Sequence, residues 1–229
     1  MGLPVCVDRG AREPLPLTSP APAASPRETV SNSYDLAAIA ARLTLLELAS
    51  EAATTERQAA VAAILRAPRG DDEAEILLIR RSERDGDPWS GHMAFPGGRR
   101  EPADPSLYYT ALRETEEEIG LDLAQHARFL ARLEDVPAVA RARRVGMTIA
   151  PFVFALDEPE PPPFVLSAEV AEIVWAPLGP MARGQNATRY AYDHEGKTLD
   201  MPAYSVEERI VWGLTHRMLE MLFDVLHRH

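Results

Sequence analysis

The stretch Arg113–Leu121 reads RETEEEIGL and carries three glutamates at helical spacing. Glu114, Glu117 and Glu118 stand at positions i, i+3 and i+4, so they lie on one face of an α-helix. Like charges stacked in this way destabilise a bare helix by about a few tenths of a kcal/mol per pair. A divalent cation removes that repulsion, because hard ions such as Mg²⁺ bind carboxylate oxygens. The pattern has two interpretations, a metal-binding helix face and an exposed charged face.

Three neighbouring features favour the metal-binding interpretation. The pair Gly97–Gly98 precedes the helix, Arg113 adjoins the first glutamate of the set, and Gly120 follows the last one. Apolar side chains recur at helical spacing from Tyr108 onward, which predicts an amphipathic helix over about 105–119 that Gly120 ends. The three carboxylates border this apolar face, so we expect them at the edge of a cleft.

Composition narrows the function classes. The 229 residues include 24 Lys and Arg against 35 Asp and Glu, a formal net charge of −11, which argues against nucleic acid or an anionic membrane as a partner. Cys6 is the only cysteine, so an intramolecular disulfide and a multi-cysteine zinc site are excluded. No apolar run reaches the roughly 18 residues of a membrane span. We therefore expect a cytoplasmic protein.

The chain divides into an arm and one domain. Residues 1–33 are rich in proline and are predicted to be a flexible arm, and residues 34–229 are predicted to form the domain. Helices are predicted at 34–50 and 206–227, and the Gly- and Pro-rich segment 85–106 is predicted to be a functional loop. Strands and helices mix without regular alternation, which indicates an α/β or α+β fold with a mixed sheet. The predicted strands are 58–66, 75–81, 128–133, 147–156 and 170–176, with a hairpin over 188–205.

The helix and its loop resemble the signature of the Nudix hydrolase family, G-x5-E-x7-R-E-U-x-E-E-x-G-U, where U is apolar. Thr115 occupies one apolar position, and Asp104 stands where the first glutamate is expected. Eight residues rather than seven separate Asp104 from Arg113, an insertion typical of the coenzyme A pyrophosphatase-like branch. The matching residues are Arg113, Glu114, Glu117, Glu118, Gly120 and Leu121.

Other segments resemble the same branch. They are Arg81–Ser82, the AFPGG sequence at 94–98 and the VWGLT sequence at 211–215, so the resemblance covers roughly residues 58–227. It implies a Nudix fold, in which a mixed β-sheet is sandwiched between α-helices, and a homodimer.

The resemblance also implies roles for individual residues. Glu114, Glu117 and Glu118 are implied ligands of Mg²⁺ or Mn²⁺, together with the carbonyl oxygen of Gly97. Arg113 would orient the glutamates by charge-assisted hydrogen bonds, and Asp104 would have a structural part in the loop. The implied reaction is hydrolysis of the pyrophosphate bond of a nucleoside diphosphate derivative.

The general base is open between two interpretations. The resemblance implies that the base is either a glutamate of the signature or a carboxylate in a later loop. Glu169 precedes a predicted strand in the region that matches this later loop and is our candidate base. Its alternative is a solvated acid at the start of a strand. Glu172 alternates with the apolar residues of that strand, so we expect it on the exposed face.

The substrate follows less directly from the sequence. Coenzyme A or an acyl-CoA-like compound is favoured, and ADP-ribose, NADH, dinucleotide polyphosphates or a non-catalytic ligand-sensing role are alternatives. The branch's Leu-Arg-x-His core is absent, and 87–92 reads DPWSGH instead.

The remaining substrate-side residues each have two interpretations. Trp89 either stacks on substrate or plugs the domain edge, and His92 either contacts phosphate or hydrogen-bonds locally. The basic residues Arg141, Arg143 and Arg144 either hold a terminal phosphate or lie in a solvated loop. Trp212 is expected to pack on the core side of the last helix.

Overall fold

The structure is a computed structural model that describes residues 34–46, 56–68, 73–85, 89–140, 143–194 and 196–228. The predicted arm at 1–33 lies outside these ranges, so its flexibility and the arm–domain boundary stay predictions. Among the described helices, none is long and apolar enough to cross a membrane.

The described elements are five helices and eleven strands. The helices are α1 (Leu36–Leu43), α2 (Leu107–Ile119), α3 (Leu123–His126), α4 (Leu178–Ala182) and α5 (Gly213–Arg228). The strands are β1 (Arg57–Arg66), β2 (Glu75–Arg81), β3 (Met93–Ala94), β4 (Gly97–Arg99), β5 (Ala127–Arg132), β6 (Val136–Ala140), β7 (Arg143–Leu156), β8 (Val170–Pro177), β9 (Ala187–His194), β10 (Lys197–Val206) and β11 (Arg209–Trp212).

Eight of these strands form one mixed sheet. Its central path is β3-β2-β1-β7-β5, with β4 beside β1, β6 beside β7 and β8 beside β2. β1 and β7 run parallel, with Arg57 opposite Met147 and Leu65 opposite Ala155, and the other pairings are antiparallel. The remaining strands form a separate antiparallel sheet in the order β11-β10-β9.

The sheet is buried on both faces because its central strands are apolar at nearly every position. Successive side chains point to opposite faces, so β1 sends Ala60 and Ile64 towards α2 and sends Ala63 and Leu65 towards α1 and α5. The predicted fold class, a mixed sheet between helices, is confirmed.

Helix α2 forms where the sequence predicts it. The Ser106 side chain caps its start by accepting a hydrogen bond from the Tyr109 N–H at 3.2 Å. Gly120 ends it in the left-handed conformation, with φ of 71°, and donates its N–H to the carbonyl of Glu116. Both ends of α2 are therefore set by residues next to the glutamate motif.

Three predictions of local structure need correction. The first helix, predicted over 34–50, covers Leu36–Leu43 with Asp35 capping its start, and positions 47–50 of that prediction lie outside the described residues. The last helix begins at Gly213 rather than at 206, because Arg209–Trp212 pairs with β10 as a strand. The segment 85–106 is not wholly irregular, since it contributes β3 and β4 to the large sheet.

Candidate active site

A cavity of about 880 Å³ opens between α2, the loop before it and the start of α5. The six residues that the sequence proposed as metal ligands or catalytic groups line this cavity, although they come from three separate segments of the chain. They are Gly97, Arg113, Glu114, Glu117, Glu118 and Glu169.

Arg113 is the central hydrogen-bond donor of the carboxylate cluster, since it donates to Asp104, Glu114 and Glu117. Its Nη2 donates to Glu114 Oε1 at 3.0 Å, and its Nη1 donates to Glu117 Oε2 at 2.9 Å. Its Nε and Nη2 bind both oxygens of Asp104, each at 3.0 Å, and Nη2 also reaches the carbonyl of Arg99 at 3.1 Å. A planar guanidinium presents its donors in a fixed fork, so this one side chain fixes the positions of two glutamates relative to the loop.

Asp104, in the loop before α2, holds the Arg113 guanidinium in position. Its carboxylate is buried and accepts further hydrogen bonds from the Thr110 hydroxyl and the Glu101 N–H, each at 2.9 Å. The hydrogen bonds from Arg113 outweigh the effect of burial and lower the pKa of Asp104 to about 2. Asp104 is thus a permanent anion that holds Arg113 in place.

Glu118 is the most deeply placed carboxylate of the helix face, with 4% of its surface exposed. Its Oε2 accepts a hydrogen bond from the Gly97 N–H at 2.9 Å. Burial raises the pKa of Glu118 to about 7, and the nearby charges of Glu114 and Glu169 add to that rise. Burial likewise raises the pKa of Glu114, against the lowering effect of Arg113. The raised pKa values indicate that the neighbouring positive groups do not fully neutralise the charges of Glu114 and Glu118.

The two loop glycines are required by close packing. Gly97 has φ of 151°, and a Cβ there would lie 2.3 Å from the carbonyl oxygen of Ala60. A Cβ on Gly98 would lie 2.4 to 2.5 Å from the carboxylate of Glu114. The absence of side chains lets β4 approach both β1 and the carboxylates.

Glu169 reaches the cluster from a segment that is tied to the end of α2. The Val165 and Ser167 N–H groups donate to the carbonyls of Ile119 and Glu118, at 3.0 and 2.9 Å. The Glu169 side chain is about half exposed and accepts from Arg84 Nη1 at 3.0 Å. Arg84 also lines the cavity, and the sequence analysis did not identify it. The only feature of the sequence that could have indicated a role for Arg84 is its position close to the Arg81–Ser82 motif.

Within the described ranges, no three His, Cys, Asp or Glu side chains are arranged closely enough to hold a metal ion. The reason is visible in the contacts, since Arg113 binds Glu114 and Glu117 while Gly97 binds Glu118. The donor set nevertheless fits a hard divalent cation, because it consists of oxygen ligands whose mutual repulsion a cation would relieve. Binding would require a rotation of the glutamate side chains away from Arg113.

The substrate-side residues are only partly described. Trp89, His92 and Trp212 line the cavity. The His92 N–H donates to the carbonyl of Trp89 at 3.2 Å, and the Ser90 hydroxyl accepts from the Arg84 N–H at 2.8 Å. Outside the described residues lie Asp87, Pro88 and Arg141, and the side chains of Arg143 and Arg144 are likewise undescribed.

Two side-chain predictions are wrong. Trp212 does not pack on the core side of α5, because it ends β11 and faces the cavity. Glu172 is not simply an exposed-face residue. It is partly buried between Arg80 and Arg209, at 2.6 and 2.5 Å, and the hydrogen bond from Arg209 is the main cause of its lowered pKa.

Several known proteins are similar to this chain. An uncharacterized protein of Schizosaccharomyces pombe is 40% identical over 121 residues, which are 52% of this chain and 36% of that protein. The human mitochondrial coenzyme A diphosphatase is 32% identical over 153 residues, which are 66% of this chain and 62% of the human protein. The similarity thus spans about a third of the yeast protein and less than two thirds of the human one.

One solved structure supports the same fold. A MutT/nudix family protein from Enterococcus faecalis superimposes with a TM-score of 0.51 at 18% identity, covering 85% of this chain and 70% of that one. The model of the NUDIX domain family matches residues 56–194, which is more than half of the chain. The family predicted from the Arg113–Leu121 motif is thereby confirmed, and the coenzyme A diphosphatase relative agrees with the predicted branch. The chain belongs to the NUDIX domain family.

Proposed function

We propose that this protein hydrolyses the pyrophosphate bond of a nucleoside diphosphate derivative with the help of Mg²⁺ or Mn²⁺. Glu114, Glu117, Glu118 and the carbonyl oxygen of Gly97 are the proposed ligands. The observation that carries the proposal is the convergence of these carboxylates, Arg113 and the Gly97–Gly98 loop on one cavity in a member of the Nudix hydrolases.

The charge of the site supports a cation-dependent reaction. A diphosphate is an anion, and an acidic cavity repels it unless a cation lies between the two. The bound cation would neutralise phosphate oxygens and lower the pKa of a bound water molecule. Hydrolases of this family generally use divalent ions, and the three glutamates give this chain suitable oxygen donors.

The chain's own residues position the reaction. Arg113 is held by Asp104 and donates to Glu114 and Glu117, so it keeps both proposed ligands beside the loop that carries Gly97. The backbone at Gly97–Gly98 lies beside these carboxylates without side chains of its own, which leaves room for phosphate oxygens.

Glu169 is the proposed general base. It lines the same cavity and lies close enough to Glu114 and Glu118 to raise their pKa values. In the proposed step, Glu169 accepts a proton from the attacking water, whose oxygen forms a new bond to phosphorus. The bond from that phosphorus to the bridging oxygen breaks, and the two products leave as phosphate monoesters. Arg84 would have to release Glu169 for this transfer.

Coenzyme A or an acyl-CoA-like compound is the proposed substrate. The similarity to the human mitochondrial coenzyme A diphosphatase supports it. The absent Leu-Arg-x-His core weakens it, so ADP-ribose, NADH and dinucleotide polyphosphates belong in the same assay. The predicted homodimer and the predicted cytoplasmic location stay predictions.

The test is a hydrolysis panel of these compounds with Mg²⁺ or Mn²⁺, in which mass spectrometry identifies the products. We expect coenzyme A to yield 4′-phosphopantetheine and adenosine 3′,5′-bisphosphate. Glu117→Gln should abolish turnover, and Glu116→Gln is the matched control, because Glu116 is exposed on the same helix and does not line the cavity.

Each outcome of the panel has a distinct meaning. Cleavage of another diphosphate would keep the reaction and change the substrate. Full activity of Glu117→Gln would refute the site assignment. A folded protein that binds metal and cleaves nothing would favour the ligand-sensing role.

A further inference from the structure

A cluster of aromatic rings lies at the end of the cavity that the glutamates do not occupy. Trp212 is its centre, and its ring centroid lies 4.4 Å from that of Tyr190, 5.0 Å from that of Tyr192 and 4.8 Å from that of His92. We name these four residues the aromatic wall. Each of them is only partly buried, and Trp212 and His92 line the cavity itself.

The small sheet holds the wall in shape. Tyr190 pairs with Met201 and Trp212 pairs with Ala203, two residues further along β10, so both rings lie on one face of the sheet. The Tyr190 ring packs against Trp212 in a tilted arrangement, with an angle of 31° between the ring planes. The indole ring is therefore fixed by its neighbours before any ligand binds.

Hydrogen bonds link the wall and the start of α5 to β2 and β3, two strands that also line the cavity. The Thr215 hydroxyl at the start of α5 donates to the carbonyl of Met93 at 2.9 Å, and the Arg81 N–H donates to the carbonyl of His92 at 3.0 Å. Gly97 follows His92 by five residues, so even an extended chain would separate the two by about 18 Å at most. One small molecule can thus contact both ends of the cavity.

We infer that the aromatic wall is the subsite for the planar base of the substrate, with the base stacked against the Trp212–His92 end. This inference rests on the proposed function, which places the diphosphate at the glutamates. A fixed flat ring suits a planar base, because stacking needs two flat surfaces and no rearrangement of the protein. A flexible chain such as a pantetheine arm gains little from a flat surface and loses more conformational entropy when it binds.

The central residue of the wall, Trp212, lies outside the part of the chain that the family match covers, whereas His92, Tyr190 and Tyr192 lie within it. That match ends at residue 194, whereas β10, β11 and α5 follow it. Trp212 and its support in β10 therefore belong to this chain's C-terminal segment. The subsite would set which base is accepted, and the glutamates would set the reaction.

The test measures binding rather than turnover. Calorimetric titration of the full-length protein with Mg²⁺ would use AMP, ribose 5-phosphate and 4′-phosphopantetheine as three separate ligands. Trp212→Ala should weaken AMP binding about tenfold or more, the loss typical of one stacked base, and should leave ribose 5-phosphate unchanged. Trp212→Phe keeps a flat ring and should retain most of the affinity for AMP.

Two further variants keep the test decisive. Tyr109→Ala removes an exposed aromatic ring from α2, away from the cavity, and should change no affinity. Trp212→Leu retains apolar bulk without a flat ring, so it should weaken AMP binding even if Trp212→Ala does not fold.

Three results would overturn the inference. They are unchanged AMP binding in Trp212→Leu, an equal loss for AMP and ribose 5-phosphate, and a loss confined to 4′-phosphopantetheine. Failure of the proposed function is a separate result. It would appear as a lack of diphosphate hydrolysis in a protein whose AMP binding still depends on Trp212.

Discussion

Replacing Asp104 with Asn tests whether the carboxylate cluster depends on one buried anion. Asp104 uses both oxygens to bind Arg113 and also accepts from Thr110 and from the Glu101 N–H. An asparagine has one oxygen and one NH₂ group. One side of the amide must therefore face a guanidinium with a donor opposite a donor.

The magnitude follows from the pKa of Asp104. Its folded value of about 2 lies below the ordinary value of 3.8, and each unit corresponds to about 1.36 kcal/mol, so ionised Asp104 stabilises the fold by about 2 kcal/mol. Because the folded pKa is lowered, this stabilisation is fully present above pH 3.8 and is lost as the pH falls through about 2. The unmatched amide donor adds to the loss, so Asp104→Asn should cost about 2–3 kcal/mol at pH 7.

Urea unfolding at pH 7 and at steps down to pH 2 would measure this cost. The difference between wild type and Asp104→Asn should shrink between pH 4 and pH 2, as the wild-type carboxyl becomes protonated. Asp157→Asn is the matched control, because Asp157 is about half exposed and its contact with Arg128 is 4.0 Å long. It should change the free energy of unfolding by less than about 0.5 kcal/mol at pH 7.

Activity gives a second measurement on the same variant. If Arg113 loses its anchor, Glu114 and Glu117 lose a fixed partner, and kcat should fall by more than KM rises. Equal stability of Asp104→Asn and wild type at pH 7, or a difference that does not vary with pH, would refute the reasoning.

Three other predictions test different parts of the site. Gly97→Ala should destabilise the fold by more than about 2 kcal/mol in thermal unfolding, because its Cβ meets the Ala60 carbonyl, whereas Gly184→Ala has positive φ but open space and should cost less. Thr215→Val should cost about 1–3 kcal/mol in the same assay, since it leaves the buried carbonyl of Met93 without its donor. Glu118→Gln should raise the thermal stability of the metal-free protein at pH 8. The raised pKa of Glu118 means that its favourable contribution is present below pH 4.5 and is lost as the pH rises through about 7.

The carboxylate side of the cavity was predictable because its three glutamates lie close together in the sequence, on one helix. Helical spacing places Glu114, Glu117 and Glu118 on one face, and Ser106 and Gly120 fix the ends of the helix that carries them. The sequence could not predict that Arg113 binds both oxygens of Asp104. That contact depends on how the loop before α2 folds back over the first turn of the helix.

The aromatic wall was not predictable because its residues are far apart in the sequence and meet only through long-range strand pairing. Ile210, Val211 and Leu214 fit a helical stripe as well as a strand, so periodicity extended α5 back to residue 206. Long-range pairing of β11 with β10 overrides that local preference, and the positive φ of Gly213, at 66°, marks the change from strand to helix. The sequence pattern predicted the start of α5 seven residues too early. Trp212 was therefore predicted to pack in the core, whereas it lines the cavity.

The residues proposed for the reaction and those proposed for base recognition therefore come from different parts of the chain. A reaction that needs three carboxylates within reach of one cation can be encoded in nine consecutive residues, because a helix supplies the geometry. Recognition of a base needs a flat surface, and this chain assembles one from positions 92, 190, 192 and 212, which come together only in the folded state. Substitutions in the small sheet should therefore change which compound is bound, while the pyrophosphate hydrolysis that we propose for Glu114, Glu117 and Glu118 is retained.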